Sequence, residues 1–339
     1  MILALTWRLV IHFVAQLEPK HQSCESLPST PSNELLRWMR ANTEPWYRGV
    51  VVDGWTARLA DGRAFCHLLH RYDFEALDID NLPDEGSSGQ GVERTTLQRA
   101  FDVGMARFEA PRLIDAADLS AGTAPPGELP YDIRSMQLYV MKLREALRKH
   151  TTNRRAKVDE ACEAVRTEAL ALKVWSQKQT DKLEVDTTTV RGFSRRNQPD
   201  VFQADRMLNV FEDKFRRRHK PKHNARRTAL TEEQLPNTRA RVVASATADS
   251  RIIDALPEGK DARELSASIG KTVDAKRAAV DSELVACVAA MEEAWHSMEM
   301  AEQAYSDALW AILVEKRTDL MVHASVSECD ELCRLMRYW

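Results

Sequence analysis

Histidines and other potential catalytic side chains occur in this chain without the spacing that an enzyme needs. His67 and His70 stand three residues apart on one predicted helix, but the nine His are otherwise dispersed. The sequence contains no Gly-x-Ser-x-Gly elbow, no His-Glu-x-x-His and no Cys-x-x-Cys pattern. We therefore predict no catalytic residues and no enzymatic activity.

The cysteines do not have the spacing of a metal site. Cys329 and Cys333 lie one helical turn apart, but no further Cys or His pair stands near them at ligand spacing for zinc. The scattered set is Cys24, Cys66, Cys162, Cys287, Cys329 and Cys333. Without a secretory signal, a disulfide framework is not expected. We predict reduced core thiols, mostly on apolar helix faces, with no metal ligand and no cofactor.

A run of basic residues is the strongest local charge feature. Residues 211–227 carry eight Lys or Arg against two acidic residues, on a chain of formal net charge −3. Such a run is compatible with a nuclear import signal or with a patch for nucleic acid or acidic lipid. Its basic part lacks the interleaved aromatics on which bases stack, so nucleic-acid binding is not expected. A solvated helix face around a kink at Pro221 is the simpler interpretation.

Composition indicates a helical protein of two domains. The 339 residues are 44% hydrophobic and 29% charged, and 12 Gly and 13 Pro are too few for a β-rich fold. Residues 1–16 are partly apolar but contain Arg8 and His12, lack a basic start and a small-residue cleavage site, and are too short to span a bilayer. We expect neither secretion nor a transmembrane anchor.

The sequence predicts amphipathic helices. Three stretches repeat apolar residues at helical spacing, and Asp61 and Asp132 can cap two of them. Three helices with one apolar face each must pack together, which predicts a small helical domain over residues 33–150, interrupted by a Gly/Ser-rich loop at 83–92. The three stripes are Phe65, Leu68, Leu69 and Tyr72; Leu97, Ala100, Phe101, Gly104 and Phe108; and Ile133, Met136, Val140, Leu143 and Leu147.

The sequence changes character on both sides of this domain. Residues 17–32 are rich in Pro and Ser and form a linker. Beyond residue 150 long helical periodicity takes over, and residues 284–312 alternate apolar steps of three and four without a break. That 3.5-residue period is typical of a left-handed helical bundle. Residues 151–339 are therefore predicted to form a spectrin-like three-helix bundle, although any three-helix bundle would produce the same period.

Several motifs resemble those of a known family. Residues 35–38 (LLRW), 61–71 (DGRAFCHLLHR), 100–103 (AFDV) and 132–136 (DIRSM) resemble a calponin-homology domain, specifically the second domain of the tandem in α-actinin and β-spectrin. Residues 211–222 and 291–305 resemble the first repeat of the α-actinin rod. Residues 5–13 resemble the last helix of a first calponin-homology domain, so residues 1–16 would be a remnant of that helix. The resemblance implies an all-α fold.

The resemblance implies actin filaments as the partner. The contact surface in that family uses the last helix of the first domain and the first helix of the second, which gives Arg8, His12, Arg37 and Arg40 as candidate contacts here. The first domain's own first helix has no counterpart in this sequence, so weak binding is expected. Leu35, Leu36 and Met39 are assigned to the core, and Arg37 and Arg40 to the exposed face.

Phosphoinositide binding is the second property that the resemblance implies. Thr43, Pro45, Trp46 and Tyr47 keep the family's turn after the first helix. The basic candidates for phosphate contact are Arg48, Arg58, Arg63 and Arg71. A Lys that usually precedes the Asp-Gly pair is replaced by Ala60, which weakens this inference.

These inferences favour a non-catalytic, α-actinin-like protein of the cytoplasm and cytoskeleton that binds or cross-links actin. The alternative is a membrane-skeleton adaptor that binds phosphoinositides or partner helices. Apolar residues beside the 284–312 stripe predict a homodimer through the repeat. These surplus residues are Val288, Trp295, Leu309, Trp310 and Leu313.

Overall fold

The computed structural model describes residues 31–56, 59, 61–79, 82, 90–117, 133–193, 197–257 and 260–337. All regular secondary structure within these ranges is helical, which confirms the predicted all-α class. The predicted loop at 83–92, the cap at Asp132 and residues 1–16 lie wholly or largely outside the described residues.

The helices follow the chain in a simple order. They are α1 (Pro31–Thr43), α2 (Arg63–Tyr72), α3 (Gln90–Phe108), α4 (Ile133–Arg191), α5 (Val201–Phe211), α6 (Lys220–Thr228), α7 (Leu235–Asp249) and α8 (Ala262–Arg337). Two π-helical segments, Glu212–His219 and Ala229–Gln234, join α5 to α6 and α6 to α7. The segment before α6 ends just ahead of Pro221, at the position where the sequence predicted a kink.

The chain forms two compact units. One contains the described residues up to Lys157 together with Val243–Ala278, and the other contains Val158–Val242 together with the described chain from Ala279 onward. This division differs from the predicted boundary at residue 150. Helices α4 and α8 each contribute to both units, and the end of α7 and the start of α8 belong with the first.

The core of the first unit is built from the three predicted stripes. Phe65, Phe101 and Tyr139 meet edge to face with ring centroids 4.7–6.1 Å apart, an arrangement that aromatic rings prefer. The first two stripes are buried throughout. Ile133 is the exception in the third, since it lies at the first turn of α4 and is 37% exposed.

The start of α2 depends on a glycine. Asp61 contributes as predicted, because its Oδ1 accepts a hydrogen bond from the Arg63 amide at 2.8 Å, but the capping position itself is Gly62. Gly62 has φ +76°, and a Cβ built on it would lie 2.6 Å from the Leu97 backbone. The close approach of α2 and α3 therefore requires glycine at this position.

The second unit has two hydrophobic clusters along its helices. One contains Trp295 and Tyr305, and the other contains Leu172 and Met291. The predicted surplus of apolar residues on α8 is largely wrong: Val288, Trp295, Leu309 and Leu313 are all buried within this unit, and of the five only Trp310 is exposed, at 46%. The second unit therefore buries more of α8 than the single predicted stripe.

The last part of α8 presents a different surface. Residues 314–337 are helical, and nearly all of them are exposed. Cys329 and Cys333 lie in this stretch and are exposed, whereas Cys66 and Cys162 are buried. The prediction of core thiols is therefore correct for Cys66 and Cys162 and wrong for the C-terminal pair.

Candidate functional site

Helix α1 carries the predicted contact residues on the surface of the first unit. Leu35, Leu36 and Met39 are buried, as assigned from the sequence. Arg37 and Arg40 are half-buried rather than exposed, since both lie at the margin of the buried face. Arg40 is further fixed because its Nε donates to the Val52 carbonyl.

The turn that follows α1 is held by its own side chains. The Thr43 hydroxyl donates to the Met39 carbonyl at 2.7 Å, and the Trp46 indole Nε1 donates to the Ala41 carbonyl at 2.9 Å. The Tyr47 hydroxyl lies 2.8 Å from His70 Nδ1. The turn predicted at Thr43–Tyr47 is thus tied back to both α1 and α2.

The two histidines on α2 support this turn. His67 stacks on Tyr47 with ring centroids 4.3 Å apart, and His70 packs against Phe74 at 4.5 Å. Burial, with smaller contributions from His70 and Arg63, lowers the pKa of His67 to about 4. His67 is therefore neutral at physiological pH and packs as an aromatic ring.

The predicted phosphoinositide residues do not form one exposed patch. Arg48 is exposed and Arg63 is half-buried, but Arg71 is buried beneath the turn, with its guanidinium 3.8 Å from the centroid of the Trp46 ring. Burial lowers the pKa of Arg71 to about 10. Arg58 lies outside the described residues, as do Arg8 and His12.

A segment that the sequence did not single out covers part of this surface. Residues 249–257, which we call the strap, leave the end of α7 and lie against the first unit. Asn42 of α1 exchanges two hydrogen bonds with the Ile253 backbone: Asn42 Nδ2 donates to its carbonyl at 2.8 Å and the Ile253 amide donates to Asn42 Oδ1 at 3.0 Å. Asn42 and Ile253 are both 0% exposed.

Ionic and apolar contacts anchor the strap at its start and in its middle. Asp249 accepts from Arg154 at 2.5 Å and from Arg155 at 2.8 Å, and its side chain is only 12% exposed. In the middle, Ile252 joins the main core of the first unit, and Arg144 donates to the Asp254 carbonyl at 2.8 Å. These contacts place the strap in the first unit.

The basic run of the second unit is engaged in ion pairs. Glu302, whose side chain is 7% exposed, accepts from Arg216 at 2.7 Å and from Lys220 at 2.6 Å. Arg226 pairs with Glu168, and Arg227 pairs with Glu292, each at 2.7 Å. Carboxylates from α4 and α8 thus neutralise these four cations. The interpretation as a solvated face is wrong for half-buried Arg216, Lys220 and Arg227, whereas Arg226 is exposed. A nucleic-acid site finds no support in this arrangement.

Among the residues that the structure describes, no helix has the length and apolar character of a membrane span. Among the same residues, no three His, Cys, Asp or Glu side chains are grouped so that they could hold a metal ion.

Comparison with known proteins gives the class of the first unit. Residues 29–148 match the calponin homology (CH) domain. The chain is 29% identical to Alpha-actinin-1 of Gallus gallus over 229 residues, 65% of this chain and 23% of that protein. It is also 29% identical to Alpha-actinin A of Dictyostelium discoideum over 140 residues (41% and 14%) and 30% identical to Alpha-actinin-like protein 1 of Schizosaccharomyces pombe over 141 residues (41% and 20%).

The chain thus contains a CH domain and is similar to α-actinins over part of its length. It spans less than a quarter of the curated relatives named above. The CH domain is followed by long helices consistent with a spectrin-like bundle, as the sequence predicted.

Proposed function

We propose that this chain is a non-catalytic cytoskeletal protein that binds actin filaments through the α1 face of its CH domain. The observation that carries the proposal is the CH-domain match over residues 29–148, together with a buried helical core among the described residues and half-buried Arg37 on α1. The relationship to α-actinins supports the same partner and a location in the cytoskeleton.

Arg37 is the most informative residue for testing this contact. Arg40 has a structural hydrogen bond to Val52, so its replacement would change folding and binding together. Arg37 is half-buried on the surface of α1, and a charge at the margin of an interface acts mainly on the rate and strength of encounter. Arg99 on α3 is exposed and offers a matched control with the same change in charge.

The experiment is co-sedimentation of the full chain with actin filaments at physiological salt. We expect saturable binding that Arg37→Glu weakens by about fivefold or more and that Arg99→Glu leaves within twofold. Absence of binding at about 100 μM protein would refute filament binding by the unmodified full chain, since the free energy would then be weaker than about 5.5 kcal/mol. Equal effects of the two variants on filament affinity would show that Arg37 is not part of the contact.

Phosphoinositide binding is a second candidate, favoured by the charge around the turn at Thr43–Tyr47. The Nε and Nη2 atoms of Arg71 are buried and have no hydrogen-bond partner among the described residues. Arg251 and exposed Arg48 add cationic groups near Tyr47. Flotation with vesicles containing phosphatidylinositol bisphosphate tests this: Arg48→Ala should reduce binding and Arg99→Ala should not. Equal binding to neutral vesicles would exclude headgroup recognition.

Self-association through α8 is the basis of any cross-linking role. The buried stripe of α8 alternates steps of three and four residues. After two acidic positions the same spacing continues along exposed apolar and thiol side chains, which are Val322, Val326, Cys329, Cys333 and Met336. Sedimentation equilibrium of the full chain should show a dimer with Kd of about 10 μM, or about 7 kcal/mol. Val326→Asp should abolish it and Ala324→Asp, off the stripe, should not; a monomer at about 100 μM would refute pairing.

A further inference from the structure

We propose that the strap is an autoinhibitory cover, whose release exposes the part of the α1 face next to Arg37. This inference rests on the proposed filament contact and adds its regulation. The strap occupies the α1 surface through a segment more than 200 residues away in sequence, as the separation of 211 between Asn42 and Ile253 shows.

The covered surface and the proposed contact share one helix face. Ala41 follows Arg37 by one helical turn, so the two side chains point the same way. Ala41 is 1% exposed because it packs with Ile253 of the strap and Ala262 of α8. Trp46 in the turn after α1 and Leu256 of the strap pack against the same cluster. A filament surface that reached Arg37 and continued along α1 would therefore meet the strap.

The strap has a discrete latch at each end. At its start, the carboxylate of Asp249 holds two guanidiniums, those of Arg154 and Arg155. Just beyond its other end, Arg263 of α8 donates to the Pro45 carbonyl at 3.1 Å, which ties the start of α8 to the turn after α1. Both latches are made by side chains that can be changed without altering the buried residues Ile252 and Ile253.

The strap also has the character of an element that can detach locally. It contains no regular secondary structure between α7 and α8, and residues 254 and 255 are exposed. Local openings of this kind occur with a lower free energy than global unfolding. When only the open form binds, the apparent Kd is the intrinsic Kd divided by the open fraction, so a latch variant raises affinity in proportion to the open fraction.

The test uses the full chain and Asp249→Asn, with Glu264→Gln as control. Both variants remove one negative charge, but Glu264 is exposed on α8. Hydrogen exchange reports opening directly, because the Ile253 amide donates to Asn42 only in the closed form. We expect Asp249→Asn to accelerate exchange of this amide by about tenfold and to raise filament affinity by a similar factor, since both depend on the open fraction.

Each outcome distinguishes the regulation from the contact itself. Faster exchange with unchanged or weaker filament affinity would overturn autoinhibition and leave the proposed filament contact standing. Unchanged exchange in both Asp249→Asn and the double variant Asp249→Asn/Arg263→Ala would show that the strap does not open through these latches, which also overturns the inference. If no variant binds filaments although exchange is faster, the proposed function fails. Far-ultraviolet circular dichroism checks that helix content is retained.

Discussion

Replacing Gly62 by Ala should be among the most damaging small changes in the first unit. Gly62 has φ +76°, a left-handed conformation that costs an L-residue about 1–2 kcal/mol. The added Cβ would also lie 2.6 Å from both Cα and N of Leu97, which is backbone and cannot rotate away. Separating α2 from α3 to relieve that overlap costs on the order of 1–3 kcal/mol. The expected total is about 2–5 kcal/mol.

The same substitution elsewhere gives a control of opposite sign. Gly270 lies inside α8, and a Cβ built there meets nothing within 4 Å. Gly270→Ala should therefore stabilise the first unit by about 0.5–1 kcal/mol, through the lower entropy of the unfolded chain.

Urea denaturation can be monitored through hydrogen exchange of peptides from α2 and α3. This measures the stability of the first unit separately from that of the second. The two variants should shift the midpoint for these peptides in opposite directions. A loss below about 1 kcal/mol for Gly62→Ala would mean that α2 and α3 can move apart at little cost, and the argument from close approach would fail.

Three further predictions concern the bundle and pH. Trp295→Ala should lower the free energy of unfolding by roughly 3–5 kcal/mol in chemical denaturation, because Trp295 is 1% exposed. Trp310 is 46% exposed, so Trp310→Ala should cost below about 1 kcal/mol. Similar losses in the two variants would contradict the assigned burial. Glu302→Gln should lose about 2–3 kcal/mol because two cations lose their shared carboxylate, while exposed Glu293→Gln should be neutral by the same measurement. Folding lowers the pKa of His67 from 6.5 to about 4, so the unfolded chain takes up the proton first, and the free energy of unfolding should decline as pH falls from about 6.5 to 4. Urea midpoints measured across this pH range should decline less steeply for His67→Gln. An identical slope in the two proteins would argue against the shift.

The sequence predicts the helices of the first unit well because their burial is periodic. Phe65, Leu68, Leu97 and Phe101 occupy one face of α2 or α3, and a helix with a continuous apolar face has few ways to bury it. Ile133 falls outside the core because periodicity does not show where a helix enters the packed region. The long regular stripe of α8 is recognised for the same reason as α2 and α3.

The features that the sequence does not predict depend on contacts between distant segments. Ile252 and Ile253 stand in a short connection without periodicity, so nothing local indicates that Asn42 is their neighbour. The burial of Arg71 depends on Trp46 folding over it. The pairing of Lys220 with Glu302 likewise requires the register between two helices, which neither segment specifies alone.

The position of the strap has a consequence for biosynthesis. Asn42 and Ile253 are separated by 211 residues, and at about 5–20 residues per second the ribosome needs roughly 10–40 s to add them. During that interval α1 and the rest of the CH core have been made, but the strap that completes them has not. The nascent chain therefore carries Ala41 and Trp46 without their final cover, and closing so large a loop is the slow kind of step that high contact order imposes on folding. Synthesis rate and chaperone access would therefore act on this protein at a late step in the assembly of its first unit. By then α4, α5 and α6 have already been made.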